Sequence, residues 1–195
     1  MDYTCLTKTE IIDWLKNNLN EERYIHSLAT ADTAKSFAEK FGVNEEKAYI
    51  AGLLHDCAKC FSNDKLRDFI EQGVEITEEE KPNYKTYHAP VSAYIAKTVF
   101  KVTDEEILSS IRWHTVGKLN MTTFEKIIFL ADKAEPKTRP SDYREFILCD
   151  FDKENGLDRC ILACYKATIK SLANRNLTIC TPTIEVYNEL LNELS

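Results

Sequence analysis

The sequence predicts one all-α domain, and three observations carry the prediction. Apolar residues recur at three- and four-residue spacing nearly throughout. In ERYIHSLATADTAKSFAEKF, residues Ile25, Leu28, Ala29, Ala34, Phe37, Ala38 and Phe41 make one stripe. Helix-start signals are frequent: Thr7 with Glu10, Thr103 with Glu106 and Thr122 with Glu125 each read as a capping box. No alternating run is long enough for a strand, and 5 Gly and 5 Pro in 195 residues are too few for a turn-rich sandwich. A chain this long buries about 70% of its unfolded surface, so it needs no disulfide or metal staple. No repeat, low-complexity run or linker divides it, and residues 1–195 read as a single domain.

The elements follow in order. Thr7 opens a short helix to about Asn18, and the striped helix after it stops at Gly42. Asn44 caps a helix running through Ala48, Ala51, Leu54 and His55 to about Ala58. Ser62 or Asn63 starts the next, which ends at Gly73. Residues 75–86 are polar, contain Pro82 and have no period, so they read as a loop near a cleft, with Glu78, Glu79 and Glu80 as a solvated face. His88 begins a helix with Pro90 in its first turn, and the Thr103 box starts one ending near His114. The Thr122 box starts FEKIIFLADKAE, which Pro136 stops. After the loop KTRPSD, helices cover about 142–149, 157–174 and 183–194.

The net charge of −7 argues against broad binding to nucleic-acid backbones or anionic membranes, which needs a basic face. The opening MDYTCLTKTEIIDWL lacks the basic-then-apolar pattern of a signal peptide, and no run approaches 18 apolar residues. Seven cysteines without an export signal read as free thiols in a reducing cytoplasm.

The chemistry concentrates in four histidines: His26, His55, His88 and His114. Asp56 follows His55 directly, and Asp132 stands in the apolar run FLADKAE. A charged aspartate on an apolar helix face is costly unless it is paired or coordinated. Imidazole with carboxylate suits a first-row transition metal and requires no thiolate. The competing metal set is Cys57-x-x-Cys60 with Cys160 and Cys164, but both cysteine pairs fall on amphipathic helices where Cys serves as a small core residue.

The order His26, His55-Asp56, Asp132 resembles the H…HD…D pattern of HD-domain metal-dependent phosphohydrolases. AGLLHDCAK, YHAPVSAY, IRWHTVG, FLADKAEPKTRP and TPTIEVYN further resemble the YqeK-like branch, the bacterial symmetrical diadenosine tetraphosphate hydrolases, over roughly Ile25 to Asn188. The resemblance implies an all-α HD bundle, with a metal core over about 20–140 and C-terminal helices over about 141–195. It implies His26, His55, Asp56 and Asp132 as metal ligands, with His88 and His114 completing a second position or touching substrate phosphates. It implies iron first, one or two ions, with manganese, cobalt or zinc as alternatives, and attack by metal-activated hydroxide to give two ADP.

Asp56 is expected to bridge. Lys59, three residues later, and Arg139, just past the Asp132 helix, are expected to serve catalysis and bind phosphate. Thr115 and Arg23 are weaker candidates around the site, Trp113 is a candidate wall, and SLANRN is a candidate contact for a base. A small nucleotide substrate is expected, and a homodimer is the base-rate state. Open alternatives are another HD activity (nucleotidase, cyclic-nucleotide phosphodiesterase or alarmone hydrolase), a non-catalytic nucleotide sensor, and a helical nucleic-acid binder.

Overall fold

The computed structural model describes residues 3–81 and 83–195. Its described residues form ten α-helices and one short 3₁₀ turn, with no strand. They are α1 Lys8–Asn18, α2 Glu21–Phe41, α3 Glu45–Leu54, α4 Asn63–Glu71, the 3₁₀ turn Tyr84–Thr86, α5 His88–Thr98, α6 Glu105–Trp113, α7 Thr123–Ala134, α8 Ser141–Leu148, α9 Gly156–Asn174 and α10 Thr181–Glu193.

The caps explain most of these boundaries. Thr7 and Thr122 close reciprocal capping boxes with Glu10 and Glu125. Asn20, Asn44 and Ser62 each accept the amide of the third residue on. Gly42 ends α2 at φ 68°, a left-handed conformation that favours glycine. The third expected box does not form. Asp104, not Thr103, caps α6, accepting the amides of Glu106 and Ile107 at 3.0 Å each. Glu106 is drawn instead to Lys47 Nζ at 2.6 Å.

The helix expected to reach Ala58 stops at Leu54. Beyond it the chain tightens into three-residue turns, with the Cys57 amide on the Leu54 carbonyl and the Lys59 amide on the Asp56 carbonyl. The Ala58 amide is taken by the Ser92 hydroxyl of α5 at 3.1 Å. Asp56 and Lys59 therefore share a turn rather than a helix face. The Glu78–Glu80 run is not uniformly solvated either. Glu80 is buried and forms a two-pronged pair with Arg112 at 3.0 and 2.5 Å, which ties the loop to α6. Pro82 lies outside the described residues.

α7 is the central rod: Phe124, Ile127, Ile128, Phe129, Leu130, Ala131 and Ala134 are all buried. α2 and α3 flank it. They meet at Gly52, where a Cβ would come within 2.7 Å of the Ala31 Cα. α9 and α10 add Ile161, Cys164, Tyr165, Val186 and Leu190 to the same apolar core. The Tyr165 hydroxyl donates to the Val116 carbonyl at 2.9 Å, anchoring α9 beside the turn after α6. Among the described residues, no helix is long and apolar enough to cross a membrane.

Candidate metal centre

Four helices and the turn after α3 bring the predicted residues to one point. His26 comes from α2, His55 and Asp56 from the end of α3, His88 from the start of α5, His114 from the end of α6 and Asp132 from α7. All six are buried. His55 and His114 sit where helical hydrogen bonding ends, so their rings turn inward and each Nδ1 meets a carbonyl three residues back. These are Gly52 O and Ile111 O, at 2.7 Å each. His88 Nδ1 lies 2.8 Å from the Lys85 carbonyl. His26 Nδ1 instead faces the Glu135 carboxylate at 3.2 Å. Each Nδ1 is thus the donor, which leaves the lone pair on Nε2.

Those lone pairs converge. His26 Nε2 is 3.2 Å from His55 Nε2 and 3.0 Å from Asp132 Oδ1, and His55 Nε2 is 3.6 Å from the same oxygen. On the other side, His88 Nε2 and His114 Nε2 stand 3.3 Å apart. Asp56 lies between the two groups. Its Oδ2 faces His26 and His55 at 3.9 and 3.8 Å, and its Oδ1 faces His88 and His114 at 3.2 and 3.3 Å.

Acceptor lone pairs directed at one another repel unless a cation sits among them. With metal–ligand bonds of about 2.1 Å, neighbouring donors stand roughly 3.0 Å apart at right angles and roughly 3.5 Å apart at tetrahedral angles. The separations within His26, His55 and Asp132 and among His88, His114 and Asp56 Oδ1, 3.0–3.6 Å, lie close to that range, and the Asp56 Oδ2 contacts at 3.8 and 3.9 Å are longer. Asp56 Oδ1 is also buried without a hydrogen-bond partner among the described residues. The donor set therefore fits divalent metal in two adjoining positions: His26, His55 and Asp132 in one, His55, Asp56 and His114 in the other, with His88 beside the second.

The charges agree. Burial opposes ionisation of Asp56, but His55, Lys59 and His88 hold it well below the usual carboxylate range. Asp132 is held low against burial by Lys133, His26, His55 and Arg139. Burial pushes His114 down to about 4, so it is neutral and free to donate its lone pair at neutral pH. His55 differs: burial disfavours its charged form, yet Asp56 and Asp132 carry it above its ordinary value, so a proton competes with metal for its Nε2.

The surrounding cations and the Thr115 hydroxyl fall where the sequence points, with one difference. Lys59 Nζ is 2.9 Å from His88 Nε2 and 3.8 Å from Asp56 Oδ1. Thr115 Oγ1 is 3.1 Å from both His88 and His114 Nε2. Arg23 Nη1 is 3.5 Å from Asp56 Oδ2. Arg139 is not simply poised over open space, because its Nη2 donates to Asp132 Oδ1 at 2.6 Å and its Nε to the Asp132 carbonyl at 2.8 Å.

Two residues escaped the sequence reading. Glu135 is fully buried; besides His26 it receives the Thr138 hydroxyl and the amides of Lys137 and Thr138. Burial opposes its charge, but Thr138, Lys137 and His26 keep it below the ordinary value. Its spacing of three from Asp132 marks it as a neighbour of the site but does not disclose its partner His26. Lys133 Nζ bridges the His114 carbonyl at 3.0 Å and Asp132 Oδ2 at 3.3 Å.

The thiolate alternative finds no support. Among the described residues no cysteine joins a metal-competent group, Cys57 is buried against the Ser92 carbonyl, and Cys60 is exposed. Trp113 stacks under the Arg112 guanidinium and lines a cavity of about 560 Å³ that includes none of the clustered residues.

Comparison with known proteins shows the family. The HD domain family model matches residues 23–137. The chain belongs to the HD-domain family. It is 33% identical to the symmetrical bis(5'-nucleosyl)-tetraphosphatase of Bacillus subtilis over 96% of this chain and 99% of that one. It is 34% identical to the Staphylococcus aureus enzyme of the same name over 89% of each. A crystal structure of a predicted HD superfamily hydrolase involved in NAD metabolism, from Clostridium acetobutylicum, superposes with a TM-score of 0.89. That protein is 35% identical, over 96% of this chain and 98% of its own. The all-α HD bundle expected from the sequence is thereby shown.

Proposed function

We propose that this protein hydrolyses diadenosine tetraphosphate symmetrically, giving two molecules of ADP. The observation that carries the reading is Asp56, whose two oxygens face separate histidine pairs across one buried cluster. Family membership and the full-length likeness to symmetrical tetraphosphatases support the substrate class.

His26, His55, Asp56 and Asp132 would hold the first metal, and His88 and His114, with Asp56 shared, the second; His55 also stands within reach of the second group. Iron is the first candidate, although a donor set of imidazole and carboxylate also accommodates manganese, cobalt or zinc. Bound metal supplies charge neutralisation at the phosphates and an acidified water at neutral pH.

The chain's own residues do the rest. Lys59 and Arg23 flank the bridging carboxylate and offer positive charge to the bridging phosphates. Arg139 fixes Asp132 through Nη2 and Nε, so it orients a ligand while carrying a cation at the rim. Thr115 places a hydroxyl against both His88 and His114, where it can donate to a phosphate oxygen. The departing group is a nucleoside diphosphate, stable as an anion, so a dedicated general acid is unnecessary. The continuous core from α1 to α10 supports reading the chain as one unit, and seven free cysteines support a reducing, cytoplasmic setting.

Phosphorus NMR of the reaction tests the proposal. Symmetrical cleavage produces ADP resonances alone, whereas paired AMP and ATP signals would mean a different cleavage position and overturn it.

A further inference from the structure

Tetraphosphate is only the middle of the proposed substrate, and each end carries an adenosine that needs a surface. From Arg139, at the edge of the cluster, the chain turns into α8. Tyr143 and Phe146 follow within α8, three residues apart and so on one helical face. Tyr143 lies within the field of the metal centre. Burial pushes its phenol up, Cys164 and the Asp132 carboxylate add to the shift, and Arg139 opposes it.

Tyr143 walls a cavity of about 410 Å³ whose other side is α9, with Thr168, Ser171 and Arg175. This cavity shares Ser171 and Arg175 with an adjoining one of about 530 Å³ that adds Phe146, Lys166 and Lys170. The two adjoin along Ala167, Ser171 and Arg175 of α9 and together make a groove between α8 and α9. Phe146 is 51% exposed, large for an aromatic face.

Charge separates this groove from the others. In a chain of net charge −7, it is lined by Lys166, Lys170 and Arg175 and by no carboxylate. The cavity beside Trp113 includes Glu75 and Glu105, and those beside α2 and α1 include Asp32 and Glu46. An aromatic face beside cations suits a base attached to phosphates, since every base has a π-face to stack. Ser171 and Asn174 supply hydrogen-bonding groups for a base edge or ribose.

We propose that the α8–α9 groove is a nucleoside subsite that receives one adenosine half of the substrate, with Phe146 as the stacking face and Arg175 as the flanking cation. This rests on the reading of the protein as a dinucleoside polyphosphate hydrolase.

Phe146→Ala and Arg175→Glu test it, and both positions are exposed, so the fold tolerates the changes. ADP is titrated calorimetrically into manganese-loaded wild type and variants. KM is measured for diadenosine tetraphosphate and for inorganic tripolyphosphate, which has no base to place. The expected result is about tenfold weaker ADP binding, a parallel rise in KM for diadenosine tetraphosphate, and a much smaller change with tripolyphosphate. ADP binding at wild-type strength in both variants would overturn the subsite. Failure of the functional reading shows separately, as wild-type protein that forms no ADP from diadenosine tetraphosphate. The ADP titration still decides in that event: loss in the variants supports the groove as a nucleotide site, and retention refutes it.

Discussion

Glu135 offers a test of whether this cluster is tuned from outside its ligand set. Three of the four histidines rest on neutral backbone carbonyls, and His26 alone rests on a carboxylate. An anion behind an imidazole fixes its tautomer and raises its basicity, and losing such a partner typically costs roughly 10–100-fold in metal affinity. Glu135→Gln keeps the shape and one acceptor but removes the charge, so its metal affinity should fall about tenfold, the lower end of that range. Glu135→Ala also leaves the buried His26 Nδ1 with only the Thr138 hydroxyl at 3.3 Å in place of a carboxylate, which costs about 1 kcal/mol of folding stability. The amides of Lys137 and Thr138 lie in less buried residues and can turn to water. The assay is equilibrium dialysis against manganese, with thermal melting of the metal-free protein alongside. The reasoning predicts weaker binding in both variants, with a lowered Tm mainly in Glu135→Ala. Wild-type manganese affinity in Glu135→Gln would refute it.

Three further outcomes are expected. Gly52→Ala should drive its methyl against the Ala31 backbone at 2.7 Å, cost about 1–3 kcal/mol and weaken metal retention, read by melting and metal analysis; an unchanged Tm would contradict the tight α2–α3 contact. Asp104, held low against burial by Lys47 and the Ile107 amide, stabilises above its unfolded pKa and loses that contribution as pH falls through its lower folded value. Asp104→Ala should therefore cost about 1 kcal/mol at pH 7, and its Tm deficit should vanish in strong acid. Replacing Cys57 and Cys60 together by Ser should lower stability through buried Cys57 while leaving metal content unchanged; metal loss would revive a thiolate site.

Much of this was legible in the sequence because the signals were local. Capping residues and three-four periodicity mark helix starts within one turn, and the placement of the four histidines needed only their helices. The gaps arose where partners are far apart in sequence. Glu135 meets His26 across 109 positions, and Glu80 meets Arg112 across 32. Neither pairing leaves a trace in spacing. The stop at Leu54 depended on Ser92 capturing the Ala58 amide from another helix. At the start of α6, Thr103 and Asp104 were adjacent cap candidates, and Lys47 removed Glu106 from the expected box.

The central claim is that Asp56 joins two metal positions, and metal content per chain tests it most directly. After reloading with ferrous iron under anaerobic conditions, wild-type protein should hold two ions. His88→Ala combined with His114→Ala should hold one, and Asp56→Ala should lose both metal and diadenosine tetraphosphate hydrolysis. Full metal content with full activity in Asp56→Ala would contradict the account.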